Sequence, residues 1–100
     1  MATIKEAEMQ TGITKQNIRY YEKIGLLQPS RKQENKYRNY SEEDIRRLKL
    51  IFLFRKLDMP LEEIRQLLAG TIELQDALQM QKEMLVERQQ KLQAAISFCG

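Results

Sequence analysis

Residues 11–29 read T-G-I-T-K-Q-N-I-R-Y-Y-E-K-I-G-L-L-Q-P, and this stretch decides the fold. Thr11-Gly12 interrupts whatever helix precedes it, and Thr14 is placed to cap a new helix that runs to about Ile24. Gly25 suits the left-handed stop after that helix, and Pro29 forbids its continuation. Working outward to the amino end, residues 3–6 read T-I-K-E, a capping box in which Thr3 and Glu6 satisfy each other's orphan amides, so a short first helix begins there. Ile4 and Ala7 before the turn, with Ile13, Ile18 and one face of the Tyr20-Tyr21 pair after it, are spaced to bury against one another. Two short helices joined by one tight turn is helix-turn-helix spacing.

Outward in the other direction, residues 30–39 are polar and basic, with Asn35 able to take a positive φ, which predicts a small β hairpin or wing. Ser41 then opens a third helix as S-E-E-D, its acids at the positive end of the dipole. Ile45, Leu48, Ile51, Phe52 and Phe54 mark that helix as core. It gives out at Leu57-Asp58-Met59, and Pro60 with Glu62 and Glu63 starts a fourth helix that stops at Gly70.

From about Ile72 to Phe98 there is neither Gly nor Pro, and Leu78, Leu85 and Leu92 recur every seven residues with Cys99 next in line. The intervening seam positions are Leu74, Gln81, Arg88 and Ala95, a mixed set that makes a weaker zipper than an all-apolar one. A helix of about 27 residues spans about 40 Å, longer than so small a domain can cover, so it needs a partner helix. Leu74, Leu78, Leu85 and Leu92 are the expected dimerisation residues. The expected organisation is an all-α chain with a small β wing: residues 1–70 a winged helix-turn-helix domain and residues 71–100 a dimerisation helix.

Charge is uneven along the chain. Residues 1–57 hold thirteen Lys/Arg against seven Asp/Glu, whereas residues 58–100 hold four against seven. A basic front half can contact phosphates and release their counterions, although a solvated basic surface accounts for the same numbers. Cys99 is the lone cysteine and cannot form an internal disulfide; as a sensor ligand it competes with the simpler reading of a small apolar filler. No run of about 18 apolar residues and no leader is visible, so no membrane segment and a cytoplasmic location are expected.

Enzymatic chemistry finds few candidates. The chain has no histidine, which removes Ser-His and Cys-His nucleophiles and the usual zinc spacings. Glu42-Glu43 and Glu62-Glu63 sit in the first turns of predicted helices, where dipole complementarity explains them. No glycine-rich phosphate loop occurs, and neither a catalytic residue, a metal nor a cofactor is expected.

Nucleic-acid chemistry finds more. All four tyrosines lie between residues 20 and 40, interleaved with Arg19, Arg31, Lys32, Lys36 and Arg38. Tyrosine hydroxyls donate to phosphate oxygens while Arg and Lys supply charge. Tyr20 and Tyr37 fit that role; Tyr21 and Tyr40 fit it or serve as core residues with only their hydroxyls wet. Lys15, Gln16 and Asn17 open the second helix with Arg19 one turn on, and these residue types pair with base edges where such a helix enters a major groove.

Together T-I-K-E-A, T-G-I-T-K-Q-N-I-R-Y-Y-E-K-I-G-L-L-Q-P, Y-R-N-Y-S-E-E-D-I-R-R-L and M-P-L-E-E-I-R-Q-L-L closely resemble the MerR family over residues 3–69. The resemblance implies a winged helix-turn-helix followed by a long antiparallel coiled-coil helix, working as a homodimer on double-stranded promoter DNA that RNA polymerase also occupies. It implies binding to an inverted repeat in a promoter spacer that is too long for polymerase, and bending and untwisting of that spacer by activators. It places Lys15 and Gln16 at base-reading positions, Arg19, Tyr20 and Tyr21 at contacts from the second helix, Tyr37 and Arg38 in the first wing, and Arg55 near the second. Asp58 stands where the family often has glycine, as does Asn35 in the wing turn; both residue types tolerate left-handed geometry. Family members usually carry an effector-binding segment after the long helix, and here that segment is expected to be missing or minimal. Two other functions fit the same features: a coiled-coil adaptor whose basic charge is incidental, and a nucleoid protein that binds DNA without sequence preference.

Overall fold

The computed structural model describes residues 2–28 and 40–100. In chain order these form α1 (Ile4–Thr11), α2 (Lys15–Lys23), α3 (Glu42–Lys56), α4 (Leu61–Ala69) and α5 (Leu74–Cys99). The expected wing, with Asn35, Tyr37 and Arg38, lies outside the described residues. Among the described residues, Ala2 and Tyr40 form an isolated antiparallel bridge with backbone bonds of 2.8 and 2.7 Å.

Helix starts follow from local chemistry. Thr3 accepts from the Glu6 amide at 3.2 Å and the Glu6 carboxylate accepts from the Thr3 amide at 3.4 Å. Ser41 and Asp44 form the same reciprocal pair at 3.1 and 2.9 Å. Thr14 accepts from the Asn17 amide at 3.2 Å and so starts α2. Each such cap stabilises its helix by about 0.5–2 kcal/mol. The α1–α2 turn needs Gly12 at φ +78°, and the turn after α3 holds Asp58 at φ 59°, the left-handed conformation for which Asp is suited.

One core joins α1 to α4. Ala7, Ile13, Ile18, Leu26, Leu27, Leu48, Ile51, Met59 and Ile64 are buried in it, and Phe52, expected inside, is half-buried against its edge. Tyr40 is fully buried and its hydroxyl donates to Glu22, so of its two readings the structure takes the core one. Arg65 of α4 donates to the Ile24 carbonyl at the end of α2, tying the second helix pair to the first.

The long helix starts at Leu74, two residues later than its sequence signal, and its amino-terminal half leans on the domain. Ala77 and Gln81 are buried there, Gln81 donating to the Leu57 carbonyl at the end of α3, and Arg88 pairs with Asp58 at 3.0 Å. Gln81 and Arg88 were expected in the intermolecular seam; both are engaged by their own domain. Leu57 O is among the carbonyls that α3 cannot satisfy internally. Gln81→Leu, which keeps the volume and removes the donor, is therefore expected to lower unfolding free energy by about 1–3 kcal/mol. Urea unfolding followed by circular dichroism measures it.

Candidate nucleic-acid interface

Helix α2 turns Ile18 and Tyr21 inward, keeps Glu22 partly buried where it accepts from Tyr40, and shows its remaining face to solvent. With one turn every 3.6 residues, Lys15, Arg19 and Lys23 align at i, i+4 and i+8. Gln16 and Tyr20 align beside them. Gln16, Arg19, Tyr20 and Lys23 are exposed and Lys15 half-exposed. The helix thus shows one face of three cations, an amide and a phenol. Lys15 is additionally fixed through its backbone, whose amide donates to the Glu8 carboxylate of α1 at 2.8 Å, which locks the relative pose of the two helices.

Beside this face opens a cleft of about 460 Å³ lined by Gly12, Ile13, Thr14, Asn17, Tyr20, Tyr21, Phe52, Arg55, Lys56 and Leu61. It brings α2 together with the last turn of α3, so Tyr20, Tyr21 and Arg55, separated by 34 or 35 positions in sequence, share one recess. Arg55 is oriented by donating to the Met59 carbonyl at 2.7 Å, leaving the rest of its guanidinium available. The Tyr20 and Tyr21 rings lie 6.2 Å apart and tilted by 54°. Burial pushes the Tyr21 hydroxyl above its ordinary pKa, with Arg55 pulling it partly back, so it stays protonated and can donate at any physiological pH. Donor hydroxyls beside an oriented guanidinium suit an anionic oxygen such as a backbone phosphate.

Lys23, Asn17 and Lys56 also border this surface, though Lys23 and Lys56 were not singled out from the sequence. Each of these two ends a helix, where a lysine reads as a complement to the dipole. Lys56 sits with its ammonium 4.9 Å from the centroid of the Phe52 ring at the floor of the cleft. Tyr37 and Arg38 lie outside the described residues, and Leu74, Leu78, Leu85 and Leu92 belong to the separate surface of α5. Among the described residues no group of His, Cys, Asp or Glu is arranged to hold a metal ion, and no helix is long and apolar enough to cross a membrane.

Residues 2–71 match the family model for MerR HTH family regulatory proteins, and residues 45–98 match the model described as MerR, DNA binding. The chain belongs to the MerR family. It is 36% identical over 98 residues to the HTH-type transcriptional regulator ZntR of Escherichia coli strain K12, covering 97% of this chain and 70% of that protein. It is 32% identical over 94 residues to the HTH-type transcriptional activator mta of Bacillus subtilis strain 168, covering 93% and 37%. The crystal structure of MtaN, the amino-terminal part of the Bacillus subtilis multidrug transporter activator, superimposes with a TM-score of 0.88 at 31% identity, covering 97% of this chain and 92% of that one. The fold is therefore that of the MerR amino-terminal region, a winged helix-turn-helix with a long carboxy-terminal helix. This MerR-family chain spans less than half the length of the first curated relatives it matches.

Proposed function

We propose that this chain binds double-stranded promoter DNA as a homodimer, α2 entering the major groove and the Tyr20–Tyr21–Arg55 cleft gripping the adjacent backbone. The observation that carries the proposal is the outward face of α2: readers at its amino end, cations along its length, and an anion-suited recess alongside. Lys15 and Gln16 read bases, Arg19 and Tyr20 anchor the strand, and Tyr37 and Arg38 extend the grip through the wing. Residues 1–70 form the DNA-binding unit and residues 71–100 the dimerisation helix, which pairs antiparallel through Leu74, Leu78, Leu85 and Leu92. The target is an inverted repeat in a promoter spacer, in the cytoplasm and within reach of RNA polymerase, and the chain performs no catalysis.

Selection from a randomised duplex pool tests this directly. Enrichment of one inverted repeat, retained against excess random competitor and lost steeply with salt, is the expected result. Enrichment of nothing would assign the chain to non-specific binding, and no binding at low salt would leave only protein partners.

Division of labour among the contacts gives a second expected outcome. Gln16→Ala should relax base preference at one position per half-site by about 1–3 kcal/mol. Arg19→Ala, and likewise Arg38→Ala, should weaken cognate and random duplexes alike and reduce the salt slope by about one unit. Titrations of both duplexes over a salt series separate the two behaviours; identical losses of discrimination in all three variants would defeat the assignment.

A further inference from the structure

Helix α2 begins with more of its backbone engaged than its cap requires. A helix leaves its first four amides without internal partners, and those amides, with the positive end of the dipole, attract any phosphate within reach. The Asn17 amide donates to Thr14 at 3.2 Å, which is the cap itself. The Lys15 amide donates instead to the carboxylate of Glu8, seven positions back on α1, at 2.8 Å. Glu8 is half-buried, and its backbone carbonyl accepts from the Gly12 amide at 2.9 Å. One residue therefore closes α1 with its main chain and opens α2 with its side chain.

The turn between the helices is fastened without this bond. Thr11 is buried, donates to the Ala7 carbonyl at 2.7 Å and accepts from the Ile13 amide at 3.2 Å, while Gly12 supplies the left-handed residue at φ +78°. Ile13 and Ile18 are buried on either side of the start of α2. What the Glu8 bond adds is one fixed direction for the first turn of α2, which carries Lys15 and Gln16. It adds a charge as well, a carboxylate at the end of α2 that the dipole makes positive. A phosphate drawn to that end meets the carboxylate first.

We propose that Glu8 is a positioning residue for sequence selection: it aims the first turn of α2 and, by occupying the helix end, excludes DNA phosphate from it. This rests on the groove reading of α2 above and adds a repulsive element to it, which weakens unmatched duplexes more than matched ones. A matched duplex gives Lys15 and Gln16 base-edge partners that offset the repulsion. An unmatched duplex offers that end of the helix only phosphate, and phosphate is what Glu8 repels. Arg19 and Lys23 lie farther along α2, one and two turns from Lys15, and keep their attraction for the backbone.

Two substitutions separate the tie from the charge. Glu8→Gln keeps an oxygen that accepts from the Lys15 amide and removes the charge. Glu8→Asp keeps the charge on a side chain one methylene too short to hold the bond. Each is titrated with the enriched inverted repeat and with a random duplex over a salt series, while urea unfolding confirms the fold and hydrogen exchange at the Lys15 amide reports the tie. Glu8→Gln should tighten the random duplex about fivefold while keeping both the order of base preference and the protection of the Lys15 amide. Glu8→Asp should leave the random duplex unchanged and open the Lys15 amide to exchange. Its affinity for the repeat should fall about tenfold, with preference relaxed at the base pair read by Gln16. A role confined to stability moves the urea midpoint and leaves base preference alone; that result, or two variants that behave alike on both duplexes, overturns the proposal while leaving a DNA-binding chain. A parent chain that prefers no duplex overturns the groove reading of α2 and this proposal with it.

Discussion

Leu85→Glu is expected to turn the dimer into a monomer and to reduce affinity for a complete two-half-site duplex by a factor on the order of 10²–10⁴. In one chain Leu85 is half-buried at the edge of the groove it shares with Leu57 and Leu78. Glutamate is as good a helix former as leucine, so the isolated helix and the domain should survive the change. In the proposed pair, a carboxylate from each chain would enter a largely desolvated seam, and the dimer would lose two leucines at once. DNA binding falls because the second half-site is reached at an effective concentration set by the linkage of the domains, and unlinking them forfeits that factor. Light scattering coupled to gel filtration reports the mass, and a titration against single and paired half-sites reports the affinity. A dimer that persists, or a monomer that binds paired sites as tightly as before, would contradict the proposed role of α5.

Much of the fold is legible because it is locally encoded. Thr3 with Glu6, Thr14, and Ser41 with Asp44 announce three helix starts through side chains that bond within three residues of themselves. Asp58 announces its turn through its tolerance of positive φ. What escapes is whatever depends on a third body. The heptad phase of α5 shows that one stripe must be covered, yet Gln81 and Arg88 lie near that stripe and are claimed by Leu57 O and Asp58 of their own chain. Periodicity alone does not distinguish a helix with one neighbour from a helix wedged between two.

The candidate interface divides in the same way. Gln16, Arg19 and Tyr20 are readable from α2 because one helix places them. The cleft is not, because it exists only where the α1–α2 turn meets the last turn of α3, bringing Lys56 and Arg55 to Tyr20 and Tyr21. Tyr40 shows the opposite ambiguity: a tyrosine in a basic cluster suggests a contact residue, but its ring fills the core and its hydroxyl donates to Glu22. Residue type indicates what a side chain can do, and burial determines whether it is available to do it.

A duplex bound by this dimer is expected to be bent at its centre, and base pairs that no side chain touches should alter affinity about tenfold. Two recognition helices joined through a paired α5 sit at a fixed separation, and a two-fold protein meets straight B-DNA only at multiples of about 34–36 Å. Where the protein's span differs from the site's, the duplex must bend or untwist to engage both α2 helices. Smooth bending of such a site costs on the order of 1–6 kcal/mol, less where pyrimidine–purine steps kink easily and more across stiff A-tracts. The phosphate contacts proposed for Arg19, Arg38 and Arg55 on each subunit would fall to either side of the centre, and would offset that cost only if the DNA curves toward them. Replacing a central A-tract with TA or CA steps should therefore tighten binding about tenfold, a change of about 1.4 kcal/mol. The same exchange placed outside the half-sites should have no effect. Circular-permutation mobility of the complex measures the bend, and a straight complex indifferent to its central sequence would show that the protein adapts to the DNA instead.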